Sequence, residues 1–184
     1  RVHLLVFAPG FEAVHGIREM LAGLGSKLNG DGRPTVGASA RDLTARLLDI
    51  DEACMVVPAH IWTPWYGMLG SKSGFDALDE CFGDMTAHIP AVETGLSSDP
   101  EMNWGVAALA EKTIVSFSDA HSLPNMGREL TVFQGDAGYR DLAVGLKNNG
   151  VEQTIEFFPE EGKYHLTGHR KCGISQTPRE TARS

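Results

Sequence analysis

The sequence predicts an α/β fold built on a largely parallel sheet, either open or closed into a barrel. Three observations carry that reading. Apolar runs of strand length alternate with stretches whose apolar residues recur at helical spacing. The connections between them are mostly short, as in repeated β-α units. Imidazole and carboxylate side chains collect at the ends of the apolar runs, where open and barrelled α/β folds place their ligands and their chemistry.

Taken in order, Val2-His3-Leu4-Leu5-Val6-Phe7 reads as a first strand. A helix over 11–24 follows, with Val14, Ile17, Leu21 and Leu24 on one face. Asn29 to Pro34 is a loop by its Gly and Pro content. Ser39 stands three residues before Asp42, a variant of the capping box that opens a helix through Leu43, Leu47 and Leu48. The run Cys54-Met55-Val56-Val57 is a strand that leads through Pro58 and Ala59 to His60. An irregular stretch, 61–74, holds Trp62, Trp65 and Tyr66 among glycines, and a short helix near 75–81 comes next. A strand over 89–92 ends in Glu93, and Asp99-Pro100 opens a helix expected to run to about Ala110. The strand over 113–117 delivers Ser118-Asp119-Ala120-His121. A strand at 130–133, a helix carrying Tyr139, Leu142, Ala143 and Leu146, and a strand at 154–158 complete the pattern.

With 184 residues, 42% of them hydrophobic, the chain can bury one sizeable core. It lacks any apolar run near the ~20 residues that span a bilayer. Its three scattered cysteines make no disulfide framework, so a reducing cytoplasmic compartment is expected. A net charge of -8 argues against a non-specific nucleic-acid binder. The charge is uneven, however: Lys163, Arg170, Lys171, Arg179 and Arg183 face only Glu180 in the last segment. Two parts are therefore expected, a body over 1–162 and a basic tail over 163–184. Because Arg1 to Phe7 reads as a strand already under way, the chain is read as a piece of something longer.

Four residues at strand ends or in a strand could bind a divalent ion: His3, His60, Asp119 and His121. Imidazole nitrogen and carboxylate oxygen are the donors that Zn and Mn accept, and several strand ends are needed to assemble a site. Alone, His60 reads first as a hydrogen-bonded partner of the fold. The Asp119-x-His121 pair is stronger, since both groups at one strand end are costly to bury without a purpose. Glu93 is read as an orienter of a ligating His or as a substrate-positioning acid. Trp62, Trp65 and Lys72 in the loop after His60 suit a surface that stacks a base and holds a phosphate, or else a plug over the core with the Lys in water. Cys172 cannot make a zinc site by itself; it could be the first ligand of one completed elsewhere, or belong to an exposed basic tail.

Several stretches also resemble a known family. Pro58 to Trp65, Gly70-Ser71-Lys72-Ser73-Gly74-Phe75-Asp76, Glu93 to Pro100, Ser118 to His121 and Thr154 to His165 are similar to the endonuclease Q family of the polymerase-and-histidinol-phosphatase (PHP) superfamily. The resemblance implies part of a distorted (β/α)7 barrel whose N-terminal strands lie upstream of Arg1. It implies two or three divalent metal ions (Zn, Mn or Mg), with His3, His60, Asp119 and His121 among the ligands and Asp119 and His121 as catalytic residues. The implied substrate is DNA carrying a damaged base, cut on the 5′ side of a deaminated base or an abasic site. It also implies that Cys172 opens a structural zinc module and that further domains follow. Two other functions stay open on the residues themselves: a PHP-type phosphatase of a small phosphomonoester, and a degenerate, non-catalytic barrel that serves a partner.

Overall fold

The apolar runs become short strands, of which the central ones have both faces covered. The computed structural model describes residues 1–30, 33–72, 74–162, 164–169 and 171–181. Ser73 of the glycine-flanked segment, Asp31 and Gly32 of the first loop, and Lys163, Arg170 and Arg183 of the basic tail lie outside the described residues. The strands are β1 (Leu4–Phe7), β2 (Met55–Pro58), β3 (Ala91–Glu93), β4 (Thr113–Val115), β5 (Leu130–Phe133), β6 (Val151–Ile155), β7 (Thr167–His169) and β8 (Ile174–Gln176). The helices are α1 (Phe11–Gly23), α2 (Ala40–Ile50), α3 (Leu78–Phe82), α4 (Pro100–Trp104), α5 (Tyr139–Lys147) and α6 (Pro178–Thr181).

Alternation along the central strands explains why they read as unbroken apolar runs. Val56, Val92 and Ile114 point into one cluster with Ala13, Leu47 and Phe82 from the helices. Their neighbours Met55, Val57, Ala91 and Val115 point the other way, onto Leu146 of α5. A strand buried on both sides has no polar face to display. The helix starts also follow their sequence signals. Ser39 accepts the Asp42 N–H at 3.0 Å to cap α2, and Asp99 accepts the Met102 N–H at 2.8 Å to cap α4.

The expected α/β class holds as a mixed α/β arrangement, but the expected parallel sheet does not. Among the described residues the strands form four two-stranded sheets, of which β1–β2, β5–β6 and β7–β8 are antiparallel and β3–β4 is parallel. Among the described residues β2 lies beside β3, and β4 beside β6, so the first six strands form an open array rather than a closed barrel. Four-residue apolar runs carry no information about direction, and the two helices between β1 and β2 permit either sense. The helix expected to reach Ala110 stops at Trp104, where Gly105 follows, and a 3₁₀ turn over Ala107–Leu109 takes over. The strand expected over 154–158 is displaced to Val151–Ile155, because Glu156 and Phe157 leave the ladder to bond elsewhere. Part of the basic tail pairs as the β7–β8 hairpin. No helix among the described residues is long and apolar enough to cross a membrane.

Phe82 is fully buried in the first cluster, whereas Phe11 at the start of α1 is 85% exposed. Phe82→Ala is expected to lower the unfolding free energy by about 3–5 kcal/mol in urea denaturation. Phe11→Ala, in the same assay, is expected to change it by no more than about 0.5 kcal/mol.

Candidate active site

The antiparallel sense of β1 creates the first half of the site. Leu4 pairs with Pro58, so the residue before β1 meets the residues after β2. His3 therefore reaches the same edge as His60 although one precedes its strand and the other follows its own. The Ala59 N–H donates to the His3 carbonyl at 3.1 Å, and His3 Nδ1 lies 3.0 Å from His60 Nε2. The Tyr66 ring stacks on His3 with centroids 4.7 Å apart.

Thr63 holds the His60 ring: its hydroxyl lies 2.7 Å from His60 Nδ1 and 3.0 Å from the carbonyls of His60 and of Trp65. Burial lowers the pKa of both rings, and His60 lowers that of His3 further, so neutral imidazoles are favoured. A second histidine is arranged the same way. His121 Nδ1–H donates to the Asp119 carbonyl at 2.8 Å, and its Nε2 accepts from Arg33 Nη1 at 2.8 Å. Ring nitrogens held in this manner are typical of metal-ligating histidines.

Glu93 ties the strand ends together. Its carboxylate, 3% exposed, accepts the backbone N–H groups of His60, of Gly95 at 2.9 Å and of Phe117 at 3.2 Å. These donors come from the ends of β2, β3 and β4. Burial nevertheless pushes its pKa up to about 7, against the opposing pull of the three N–H groups. Three non-glycine residues around this junction hold left-handed backbone: His60 has φ 35°, Asp119 φ 44° and Tyr66 φ 66°. Left-handed backbone costs roughly 1–2 kcal/mol at a residue with a Cβ. Gly95, φ 61°, must be glycine, since a Cβ there would lie 2.5 Å from the His60 Cβ. A cleft of about 250 Å³ opens beside this junction, lined by Leu5, Phe7, Phe117, His60, Glu93 and Asp119.

The remaining candidates are spread around it. Trp65 is 59% exposed, while Trp62 turns inward and donates its indole N–H to Asn103 Oδ1 at 2.8 Å. Lys72 is exposed. The loop that carries them is wound tightly on itself; a Cβ at Gly70 would meet the Thr63 carbonyl at 2.2 Å. Cys172 lies in the tail with Sγ 3.5 Å from His169 Nδ1. By donor chemistry His3, His60, Asp119 and His121 suit a divalent ion. Among the described residues, however, no group of three or more His, Cys, Asp or Glu side chains is gathered closely enough to hold one. The pairs that meet are His3 with His60, and Asp119 with His121.

Sequence reasoning missed a buried acid pair behind the site. Glu129, 2% exposed, accepts the Phe157 N–H at 3.0 Å, and its other oxygen lies 3.1 Å from Ser116 Oγ. Ser116 Oγ is also 3.1 Å from Glu156. One hydroxyl carries one proton, so both contacts are hydrogen bonds only if one carboxyl is protonated. In agreement, burial raises the pKa of Glu156, and burial with the Glu156 charge pushes Glu129 up to about 7. Glu156 lies within a motif singled out above, but nothing local to Glu129 marks it. Arg33 and Thr63 were missed too, since their partners are set by tertiary or turn geometry.

No family model matches the chain. The uncharacterised protein YqxK of Bacillus subtilis (strain 168) is 35% identical over 136 residues, covering 72% of this chain and 34% of that protein. The lesion-specific endonuclease PfuEndoQ from Pyrococcus furiosus matches with a TM-score of 0.79 and 29% identity, over 99% of this chain and 45% of that one. Endonuclease Q in complex with a 27-mer duplex substrate bearing an abasic lesion matches with a TM-score of 0.80 and 28% identity, over 100% and 46%. The chain thus spans about a third of the curated relative and just under half of the solved structures. Its fold is endonuclease Q-like.

Two outcomes test this geometry. Gly95→Ala is expected to lower stability by roughly 2–4 kcal/mol, from the left-handed backbone and the collision with His60 together, read by thermal or urea unfolding. The second concerns pH. Glu93 and Glu129 keep protons up to about 7 in the fold but release them near the ordinary value of 4.5 when unfolded. The folded chain therefore binds more protons between those values. The stability these groups contribute is full below about 4.5 and is lost as pH rises through about 7. The unfolding free energy is expected to fall between pH 5 and 8, by up to about 3 kcal/mol per group. Glu129→Gln, which mimics the protonated acid, is expected to flatten that slope in denaturation curves taken across the range.

Proposed function

We propose that this chain is part of a DNA-repair endonuclease that hydrolyses the phosphodiester 5′ to a deaminated base or an abasic site. The observation that carries this reading is the match along the whole chain to two endonuclease Q structures, one of them holding a lesion-bearing duplex. A DNA-repair, nuclease-like role follows from that likeness; the choice of lesion, the metal dependence and the residue roles are this proposal's own.

In this reading His3, His60, Asp119 and His121 hold two or three divalent ions together with ligands outside this chain. Such ions supply Lewis acidity for the phosphate and lower the pKa of a bound water. The chain's own residues do the rest. The Asp119 carbonyl holds the ring proton of His121 on Nδ1, which leaves the lone pair of that ring on Nε2. Glu93 positions the backbone of His60 and of Phe117, and so the approach to Asp119. Asp119, exposed at the cleft, can accept a proton from the attacking water. Exposed Trp65 offers a stacking face to DNA or to an extruded base, and Lys72 and the tail offer cations to phosphates. Trp62 serves the loop rather than the substrate, because its indole N–H is taken by Asn103.

The modest cleft, about 250 Å³, favours a second reading, a phosphatase of a small phosphomonoester. One assay separates the two. The full-length protein is given an end-labelled duplex with a single uracil or abasic site in Mn²⁺ or Mg²⁺, and a chromogenic phosphomonoester in parallel. The expected outcome is one cut immediately 5′ of the lesion on a denaturing gel, reduced at least about 10²-fold in His121→Ala. Turnover of the phosphomonoester without cutting would establish the phosphatase. Neither activity, with unchanged folding, would leave a binding module.

A further inference from the structure

β4 and β5 belong to different sheets among the described residues, and side chains close the loop between them. Thr131 Oγ1 accepts the Ser116 N–H and donates to the Ser116 carbonyl, both at 2.8 Å. Arg128 Nε donates to the Ser118 carbonyl at 2.8 Å. Between these contacts the Ser116 hydroxyl faces Glu129 Oε2 and Glu156 Oε2, each at 3.1 Å. Asp119 and His121 lie in the loop so closed and take no part in the clasp.

The middle contact differs from the others in needing a proton. A serine hydroxyl donates once, so one of the two carboxyls must donate back to it. Glu129 is pinned: it is 2% exposed, and its other oxygen accepts the Phe157 N–H at 3.0 Å. Glu156 is half-buried, with the Thr94 hydroxyl 3.4 Å from its Oε2 and no hydrogen-bond partner for its Oε1 among the described residues. An oxygen without a partner costs less on a neutral carboxyl than on a carboxylate, so the proton suits Glu156. The charged groups about the pair are Arg128 beside it, Glu93 at the end of β3 and Asp99 at the start of α4. Two further acids against one guanidinium favour keeping the proton.

We propose that the segment from Ser118 to Arg128 is a strap latched by the proton that Glu129 and Glu156 share through Ser116, and that loss of this proton frees the end of β4 carrying Asp119 and His121. The latch is independent of what the cleft binds. Once the proton leaves, Ser116 can donate to one carboxylate only. Glu129 keeps that bond, and Glu156, nearer to water, turns outward. The link from β4 to the end of β6 is then gone, and Thr131, Arg128 and the Glu93 bond to the Phe117 N–H hold the strap without it. Burial raises the pKa of both acids, that of Glu129 to about 7, so the latch is closed below that value and opens as pH rises through it.

Hydrogen exchange read by mass spectrometry on the full-length protein tests this, with rates corrected for the intrinsic effect of pH. In the wild type, protection of the amides over 116–128 is expected to fall about tenfold between about pH 6 and about pH 8.5. The strap is expected to exchange faster than α2 at both values, as a local opening requires. Glu156→Gln, whose amide donates to Ser116 without a charge, is expected to abolish the fall, although Glu93 still titrates in that variant. Ser116→Ala is expected to give the low protection at both values. Wild-type protection that does not change with pH overturns the latch without recourse to a variant. Exchange of the strap at the rate of α2 makes the opening global and overturns it too. A folded Glu156→Gln that keeps the wild-type fall overturns it and assigns the effect to Glu93.

Discussion

The Glu93 carboxylate is the constraint on which the site depends. A buried acid that accepts N–H groups from His60, Gly95 and Phe117 joins the ends of three strands at one point. Two non-glycine residues nearby, His60 and Asp119, hold left-handed backbone that they would not adopt unaided. Strain of that kind persists only where the surroundings over-determine it. Here the surroundings are few and identifiable: one carboxylate, a glycine that lets His60 approach within touching distance, and a threonine hydroxyl against the His60 ring. Removing the acid would leave three buried donors without an acceptor, a cost that falls on backbone and not merely on one side chain.

How far the sequence announced this can be judged residue by residue. The apolar runs located the first five strands within a residue or two, and Ser39 and Asp99 marked their helix starts, because both signals are local. His60, Asp119 and His121 were legible as strand-end groups, and Glu93 was legible as an orienter, although what it orients is backbone more than a ring. The direction of β1 was not legible. A fully buried four-residue run looks the same in either sense, and the parallel expectation followed from the α/β pattern alone. Arg33 and Glu129 were invisible for a different reason: each acquires its meaning from a partner distant in sequence, His121 for one and Ser116 with Phe157 for the other.

The acid pair behind the site shows how packing and protonation are joined in this fold. Ser116 continues β4 toward the edge that carries Asp119 and His121, while Glu129 precedes β5 and Glu156 follows β6. A single shared hydroxyl proton cannot satisfy two carboxylates, so the three elements meet around a held proton. Glu156 Oε1 has no hydrogen-bond partner among the described residues, while Oε2 faces the Ser116 hydroxyl. The pair thus braces the strand that delivers Asp119 and His121 without itself reaching the cleft.

The pairing of β1 with β2 has a further consequence, for the order in which the molecule acquires its site. His3 and His60 are 57 residues apart, and they meet only when the segment between them, with α1 and α2 inside it, has been closed into a loop. Closure of that length carries an entropy cost that grows slowly with chain length and is offset by packing inside the loop. Contact of α1 with α2, and the burial of Ala13 and Leu47 against Val56, supplies that packing. Half of the candidate centre is therefore a product of high contact order, formed in the same event as the first sheet. By contrast Asp119 and His121 lie two residues apart and are neighbours before any folding has begun.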